Sequence, residues 1–384
     1  MRKAAQIALK FVVSNKYGHL KEEKGMEFRK KTIRDVDIVD RVVLVRVDYN
    51  VPMKDGEVTD DMRIVASLPT IKYLIENKAA KIVLMSHLGR PDGEVKPEFS
   101  LAPVAKKLAE LLPEAQVDFV DETVGDKVKE AVANMPEQGV LLLENLRFSP
   151  LEEENSSDFA KDIIESTGAE LFVQDGFSVI HRAHASTDAI ARELNCVAGF
   201  LVEKEVSALE AAISDPEHPV LVIIGGAKVE DKEPLIKEFL PIADQIVVGG
   251  KIAADGYDAG EYDKIYVAEG FVEDEEGRKL DIDSASAAKI VGMIAEAKTI
   301  VWNGTMGMAE DPKYAVGSYA VGQAIGRKKD ALTIIGGGDT AGYVQELLKE
   351  SPDLDFSLVS TGGGASLELL SGKELPGLEV LRNR

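Results

Sequence analysis

Apolar positions along the chain alternate between two periods. Short runs at 42–47, 81–85, 117–120, 140–143 and 171–173 are apolar throughout or repeat every second residue, which predicts strands. Between them Ile64, Leu68, Ile71 and Ile75 recur at helical spacing. Such alternation predicts parallel sheets covered by helices on both faces. The second half repeats the scheme with apolar runs that pass directly into glycine: "LVIIGGAK", "IVVGGKIA", "TIVWNGTMG", "LTIIGGGDTAG" and "FSLVSTGGGAS". Between the halves, Val202, Val206, Leu209 and Ile213 predict a helix that ends at "SDPEHP". The expected architecture is α/β: two doubly wound parallel-sheet domains joined by a hinge helix, with a cleft between them. The N-terminal domain is expected over 26–200, joined by 371–384, and the C-terminal domain over 201–370.

One strand breaks the apolar rule. In "VVLVRVDYNVP", Val43, Val45, Val47 and Tyr49 share one face while Leu44, Arg46, Asp48 and Asn50 share the other. Unpaired ions beside a buried strand cost several kcal/mol. Either these groups satisfy each other, with Arg46 pairing Asp48, or something polar binds at the strand's carboxyl end.

Composition narrows the classes. The chain has 384 residues with 45 basic against 67 acidic side chains, a net charge of −22, which argues against a nucleic-acid partner but not against a small anion. A lone cysteine, Cys196, excludes an internal disulfide framework and suits a reducing cytoplasm, and it reads as a small buried hydrophobe. No apolar run reaches membrane-spanning length, so no membrane partner is expected. Met26 opens "MEFRKKTIRDVD", a sensible domain start. Residues 1–25 are accordingly expected to be a leader or a mis-called start.

Candidate chemistry gathers at strand ends. In open parallel sheets ligands bind beyond the carboxyl ends, where glycines let backbone amides approach phosphate. One glycine turn is usually just a tight connection, but several on one sheet edge point to a nucleotide phosphate. Neither a P-loop nor a dinucleotide fingerprint is present. "GGAKVEDK" offers Lys228 and Lys232, expected on one side of a helix start, and "GGGDT" offers Asp339, a hard oxygen ligand of the kind Mg²⁺ takes. The first half supplies "SHLGRP", "LLENLRF" and "HRAHAS". Arg90, Arg147 and Arg182 each follow a strand, and Arg63 follows the first strand's loop. Their planar forks suit phosphate or carboxylate. His87, His181 and His184 lie in these clusters without metal-ligand spacing, so donation to an anion is their simpler role.

Together, and in this order, the quoted blocks with "STGGGASLELLSGKELPG" resemble the phosphoglycerate kinase family from about Met26 to Leu381. The resemblance implies phosphoryl transfer between 1,3-bisphosphoglycerate and MgADP, giving 3-phosphoglycerate and MgATP, in a cytoplasmic monomer. It implies that Asp48 and Asn50 hold the glycerate, and that Arg63, His87, Arg90, Arg147 and Arg182 form the basic patch for the 3-phosphate and carboxyl end. On the nucleotide side it implies Lys228 on the migrating phosphoryl group and Lys232 on the α-phosphate. Asp339 would take the metal, Thr340 a phosphate oxygen and Glu310 the ribose. Gly337 and Gly338 would allow close backbone approach, Gly338 at the transferring group. No general base is required, because the nucleophile is already ionised.

Departures from the family pattern concentrate in one place. The segment from Gly249 to Leu280 is shorter and is expected to lack a helix and a neighbouring strand of the adenine wall. "LDIDS" stands for the family's "LDIGP", Lys279 for a frequent glycine and Thr305 for proline, while "QDGFSVIHRAHAS" is a milder change. Two alternatives stay open: a catalytically silent binder of phosphoglycerate or nucleotide, and a kinase of another small acyl phosphate.

Overall fold

The computed structural model describes residues 28–384; the expectation for residues 1–25 lies outside them. The described chain forms two units, 28–204 with 374–384, and 205–373. In the first, strands β1 (Val42–Arg46), β4 (Lys81–Met85), β5 (Val117–Val120), β6 (Gly139–Leu143), β7 (Leu171–Gln174) and β8 (Cys196–Ala198) form one sheet in the order β5-β6-β4-β1-β7-β8. A small antiparallel hairpin, β2 (Met53–Lys54) with β3 (Glu57–Val58), leaves it after β1. Pairings in the sheet are parallel, for example Leu44 opposite Val83 on one side and Phe172 on the other. These strands are Val/Ile/Leu-rich because both faces are covered. Val43, Val45, Val47 and Tyr49 enter the core with Ile64, Leu68 and Ile71 of the Met62–Glu76 helix. Leu74 completes that helical stripe, and Ile75 is only half-buried beside it. The chain's end returns to this unit: Lys31 N–H donates to Arg382 O at 2.7 Å, and Gly377 N–H to Ile180 O at 2.8 Å.

The second unit repeats the logic. Strands β9 (Val220–Ile224), β10 (Gln245–Val248), β11 (Ile265–Val267), β14 (Thr299–Asn303), β15 (Leu332–Gly336) and β16 (Leu358–Val359) form a parallel sheet in the order β11-β10-β9-β14-β15-β16. All five glycine-terminated runs are strands of this sheet, and β11 is its edge. The stretch after Gly249 holds the five-residue helix Gly250–Ala254, β11, and an antiparallel hairpin of β12 (Phe271–Glu273) and β13 (Lys279–Ile282). Between Ala254 and Ser284 it contains strands and turns without a helix. The changed "LDIDS" has a local reason. Asp283 is the N-cap of the Ser284–Glu296 helix, its Oδ1 accepting from Ser286 N–H at 2.7 Å. Asp283→Ala is expected to cost about 1 kcal/mol, read as a lower urea midpoint at constant slope.

The helix Phe200–Ser214 contains the boundary between units. Its first amides are held by side chains of the first unit. Phe200 N–H donates to Thr70 Oγ1 at 2.9 Å, and Leu201 and Val202 N–H to Asp175 Oδ1 at 2.9 and 3.4 Å. Arg34 stacks 4.0 Å above the Phe200 ring and pairs with Glu203 at 2.6 Å. Asp175 is fully buried, its Oδ2 has no hydrogen-bond partner among the described residues, and burial pushes its carboxyl up to about 7. The folded state thus favours the neutral acid. Stability from this group is fully present below about pH 4, the unfolded value, and is lost as pH rises through about 7. Asp175→Asn keeps the acceptor without the charge, so its stability should gain on wild type between pH 4 and 8; a gap independent of pH would contradict this account.

Candidate active site

The carboxyl ends of the first unit's central strands β6, β4, β1 and β7 bring the predicted anion-binding residues to one edge. Asp48 and Asn50 follow β1, His87 and Arg90 follow β4, Arg147 follows β6 and Arg182 follows β7. Arg63 reaches the same place from the first turn of Met62–Glu76. Asp48 is buried, and its Oδ2 accepts from Arg63 Nη1 and from Ser178 Oγ, while Oδ1 accepts from Asn50 N–H at 3.1 Å. Arg46 does not pair with Asp48 as expected. Its Nε donates to Ser186 Oγ at 2.7 Å, and its Nη2 lies 3.2 Å from His87 Nδ1. Arg63, starting from the first turn of Met62–Glu76, takes the carboxylate instead.

Asn50 turns its Oδ1 to the Gly89 N–H at 2.9 Å, which fixes the turn after β4. Arg147 is buried and spans two neighbours, donating to Gly89 O at 2.8 Å and pairing with Glu153 at 2.8 Å. Arg182 Nε contacts His181 Nε2 at 3.2 Å. Arg90 is exposed at the rim. Burial, then the charges of Arg46, Arg147, Arg63 and Arg182, hold His87 well below the usual imidazole range. His184 is held down to about 4 for the same reasons. A neutral histidine among guanidiniums is a hydrogen-bond donor surface for an anion. Cys196 lies buried inside β8, away from any nucleophilic role, and burial pushes its thiol up.

In the second unit the glycine turns converge at the carboxyl ends of β9, β10, β14 and β15. Gly226 N–H donates to Thr305 O at 2.9 Å, and Gly225 N–H to Asn303 O at 2.9 Å. Gly304, with φ +100°, presses its backbone on Gly225, where no Cβ would fit. Gly337 (φ +85°) is the N-cap of the Gly338–Glu350 helix, and a Cβ on it would stand 3.1 Å from Asn303 Oδ1. A Cβ on Gly338 would meet nothing of the chain, so the helix start is open. Asp339 is exposed in that first turn. Thr340 is buried, and its Oγ1 accepts from Gly304 N–H at 2.8 Å, which leaves its proton for another acceptor. Glu310 is exposed in the loop after β14.

Lys228 and Lys232 do not share a helix start. The helix begins only at Glu233, with Pro234 in its first turn and Lys232 as its N-cap, so Lys228 stands exposed in the preceding turn. Lys232 is partly buried, and its Nζ donates to Asn303 Oδ1; burial lowers its pKa against the pull of Asp231 and Asp339. Asn303 Nδ2 is buried and has no partner among the described residues. Among those residues no three His, Cys, Asp or Glu side chains come together as a metal cage. A single carboxylate beside a glycine turn still fits Mg²⁺, which commonly takes one or two protein oxygens with phosphate and water as its remaining ligands. Among the described residues no helix is long and apolar enough to cross a membrane.

Sequence reasoning passed over Ser178, Glu152, Ser186 and Asn303. Glu152 sits in "LEEEN", where it looks like one more solvated acid. Asn303 in "TIVWNGTMG", Ser186 in "HRAHAS" and Ser178 in "QDGFSVIHRAHAS" lay within quoted blocks, but nothing in the sequence gave them a role.

Two six-stranded parallel sheets, one with a basic edge and one with a glycine-lined edge, are the parts a phosphotransferase needs. The family model "Phosphoglycerate kinase" matches residues 33–263 and 257–373, two pieces that overlap at 257–263. A phosphoglycerate kinase of Thermosipho africanus is 45% identical, with 92% of this chain and 98% of that protein aligned. One of Clostridium kluyveri is 41% identical over 94% and 100%. Among solved structures, phosphoglycerate kinase from Coxiella burnetii superposes with a TM-score of 0.77 at 32% identity, covering 91% of this chain and 98% of that one. The Pyrococcus horikoshii enzyme gives 0.79 at 29%, with the same coverage. The chain belongs to the phosphoglycerate kinase family.

Proposed function

We propose that this chain transfers the acyl phosphate of 1,3-bisphosphoglycerate to MgADP, reversibly, giving 3-phosphoglycerate and MgATP. The observation that carries the reading is the basic edge, where Arg63, Arg147, Arg182 and neutral His87 surround a carboxylate–amide pair, Asp48 and Asn50. A phosphorylated hydroxy acid offers what this set binds: phosphate for the guanidiniums and a hydroxyl for Asp48. Arg90 at the rim would join the 3-phosphate.

On the other edge, the backbone amides around Gly337 and Gly338 would hold nucleotide phosphate, with Thr340 donating its hydroxyl proton and Lys232 reaching the α-phosphate. Asp339 would ligate Mg²⁺, which when bound neutralises phosphate charge. Lys228, unencumbered by the helix, would accompany the phosphoryl group, and Glu310 would take the ribose. The nucleophile is a phosphate or carboxylate oxygen, so no proton has to be moved. Rate then rests on position and on cations around the equatorial oxygens. Donor and acceptor would be held by separate units, and Phe200–Ser214 is our hinge between them. We further infer a cytoplasmic monomer.

The test is a coupled assay of the purified chain with 3-phosphoglycerate and MgATP, oxidising NADH, with GTP and other small carboxylic acids alongside. Turnover specific to 3-phosphoglycerate is expected. No turnover in folded protein would favour a silent binder, and turnover with another acid would redirect the substrate.

A further inference from the structure

Behind the basic edge runs a buried chain of polar groups that anion binding alone does not require. It begins at Glu152, which is fully buried. Its Oε1 accepts from Ser186 Oγ at 2.6 Å and its Oε2 from Ser186 N–H at 3.0 Å. The serine's only hydroxyl proton is thereby committed, so its oxygen accepts from Arg46 Nε, 2.7 Å away. Arg46 is 1% exposed, and its Nη2 ends the chain 3.2 Å from His87 Nδ1.

A guanidinium has donors and no acceptor. At 3.2 Å from Nη2, His87 Nδ1 must offer its lone pair, and the ring's proton resides on Nε2. Asp48 Oδ1, the rival partner for a protonated Nδ1, stands 3.9 Å away, beyond hydrogen-bond range. Asp48 is also engaged by Arg63, Ser178 and the Asn50 amide. The charged groups facing His87 are Arg46 and Asp48 at the end of β1, Arg63 from its helix, and Arg147 and Arg182 from the turns after β6 and β7.

We propose that Arg46 is a positioning residue that holds His87 as the neutral, Nε2-protonated tautomer, and that Glu152, through Ser186, holds Arg46. This rests on the reading of His87 as a donor to the substrate anion. A purely structural role, in which Glu152 and Arg46 only tie β1 to the 185–189 turn, would leave the histidine indifferent to the chain. The two roles separate when the tie is cut at a distance from His87.

Long-range ¹H–¹⁵N spectra of the full-length chain, labelled at histidine, read the tautomer directly, with His87→Gln assigning the signals. Wild type at pH 7 should show His87 neutral with its proton on Nε2. Ser186→Ala and Glu152→Gln should both give a mixture of tautomers. In each, KM for 3-phosphoglycerate should rise about tenfold, the size of one charged hydrogen bond, while KM for nucleotide stays put. Glu152→Gln preserves shape and guards against a simple folding failure, which circular dichroism would show. An imidazolium or an Nδ1-protonated ring in wild type overturns the proposal, as does an unchanged His87 signal in both folded variants. Because the spectrum needs no turnover, an Nε2-protonated His87 in a chain without kinase activity would sink the functional reading and leave this one standing.

Discussion

Replacing Lys228 with alanine should lower kcat by roughly 10²–10³-fold, the loss that follows removal of one preorganised donor at a developing charge. Two structural facts set this expectation apart from an ordinary surface lysine. Lys228 sits exposed in the turn after β9, ahead of the helix that begins at Glu233, so its ammonium is not tied into a helical face. Lys232, the neighbouring cation, is partly buried and anchored on Asn303, and its proposed place is the α-phosphate rather than the group in transit. Steady-state kinetics in both directions would check the result. Both KM values should change little, since the interaction is made with the group in transit. If Lys228→Ala kept most of its turnover, Lys228 would lose its role, although the substrate assignment would survive.

The second large effect is expected at Arg63. Its Nη1 donates to Asp48, which is buried, and Ser178 is that carboxylate's other side-chain donor. Arg63→Ala removes a cation from the anion edge and leaves a buried carboxylate short of its ion pair. Truncating one partner of such a pair costs roughly 2–5 kcal/mol, so kcat/KM for 3-phosphoglycerate should fall by at least about thirtyfold. Arg63→Lys should recover little, because a point charge does not reproduce the planar fork. The nucleotide KM is the internal control. A parallel rise there would mean that the variant disturbs the fold and that the anion edge has been misassigned.

Much of this was legible in the sequence for a plain reason. Fully buried parallel strands must be apolar, and turns that bring backbone against backbone must be glycine, so "LVIIGG", "IVVGG" and "IIGGG" announce both strand and turn. The placement of Arg147 and Arg182 was legible because strand ends in a parallel sheet share one edge. What stayed hidden depends on reach and burial. Whether Asp48 meets Arg46 or Arg63 is decided by where two equally long side chains start, on two different elements. Glu152 differs from Glu153 and Glu154 only by being turned inward, and no period marks that turn. The substitution of Asp283 in "LDIDS" reads as damage in sequence, yet the aspartate caps a helix. The start of the helix after Lys228 was misplaced because spacing alone ignores what Pro234 does to a first turn.

The opening turn of Phe200–Ser214 carries a consequence for how strain is distributed. Helix starts ordinarily fray, since their first amides find no partner within the helix. Here three of them are held by Thr70 and Asp175, and Arg34 clasps the ring of Phe200 and the carboxylate of Glu203. The end that would usually be softest is riveted to the sheet of the first unit. Torque applied along this helix therefore cannot be absorbed at its start. In deuterium exchange the amides of Phe200, Leu201 and Val202 would behave as part of that sheet, giving the helix a stiff amino end.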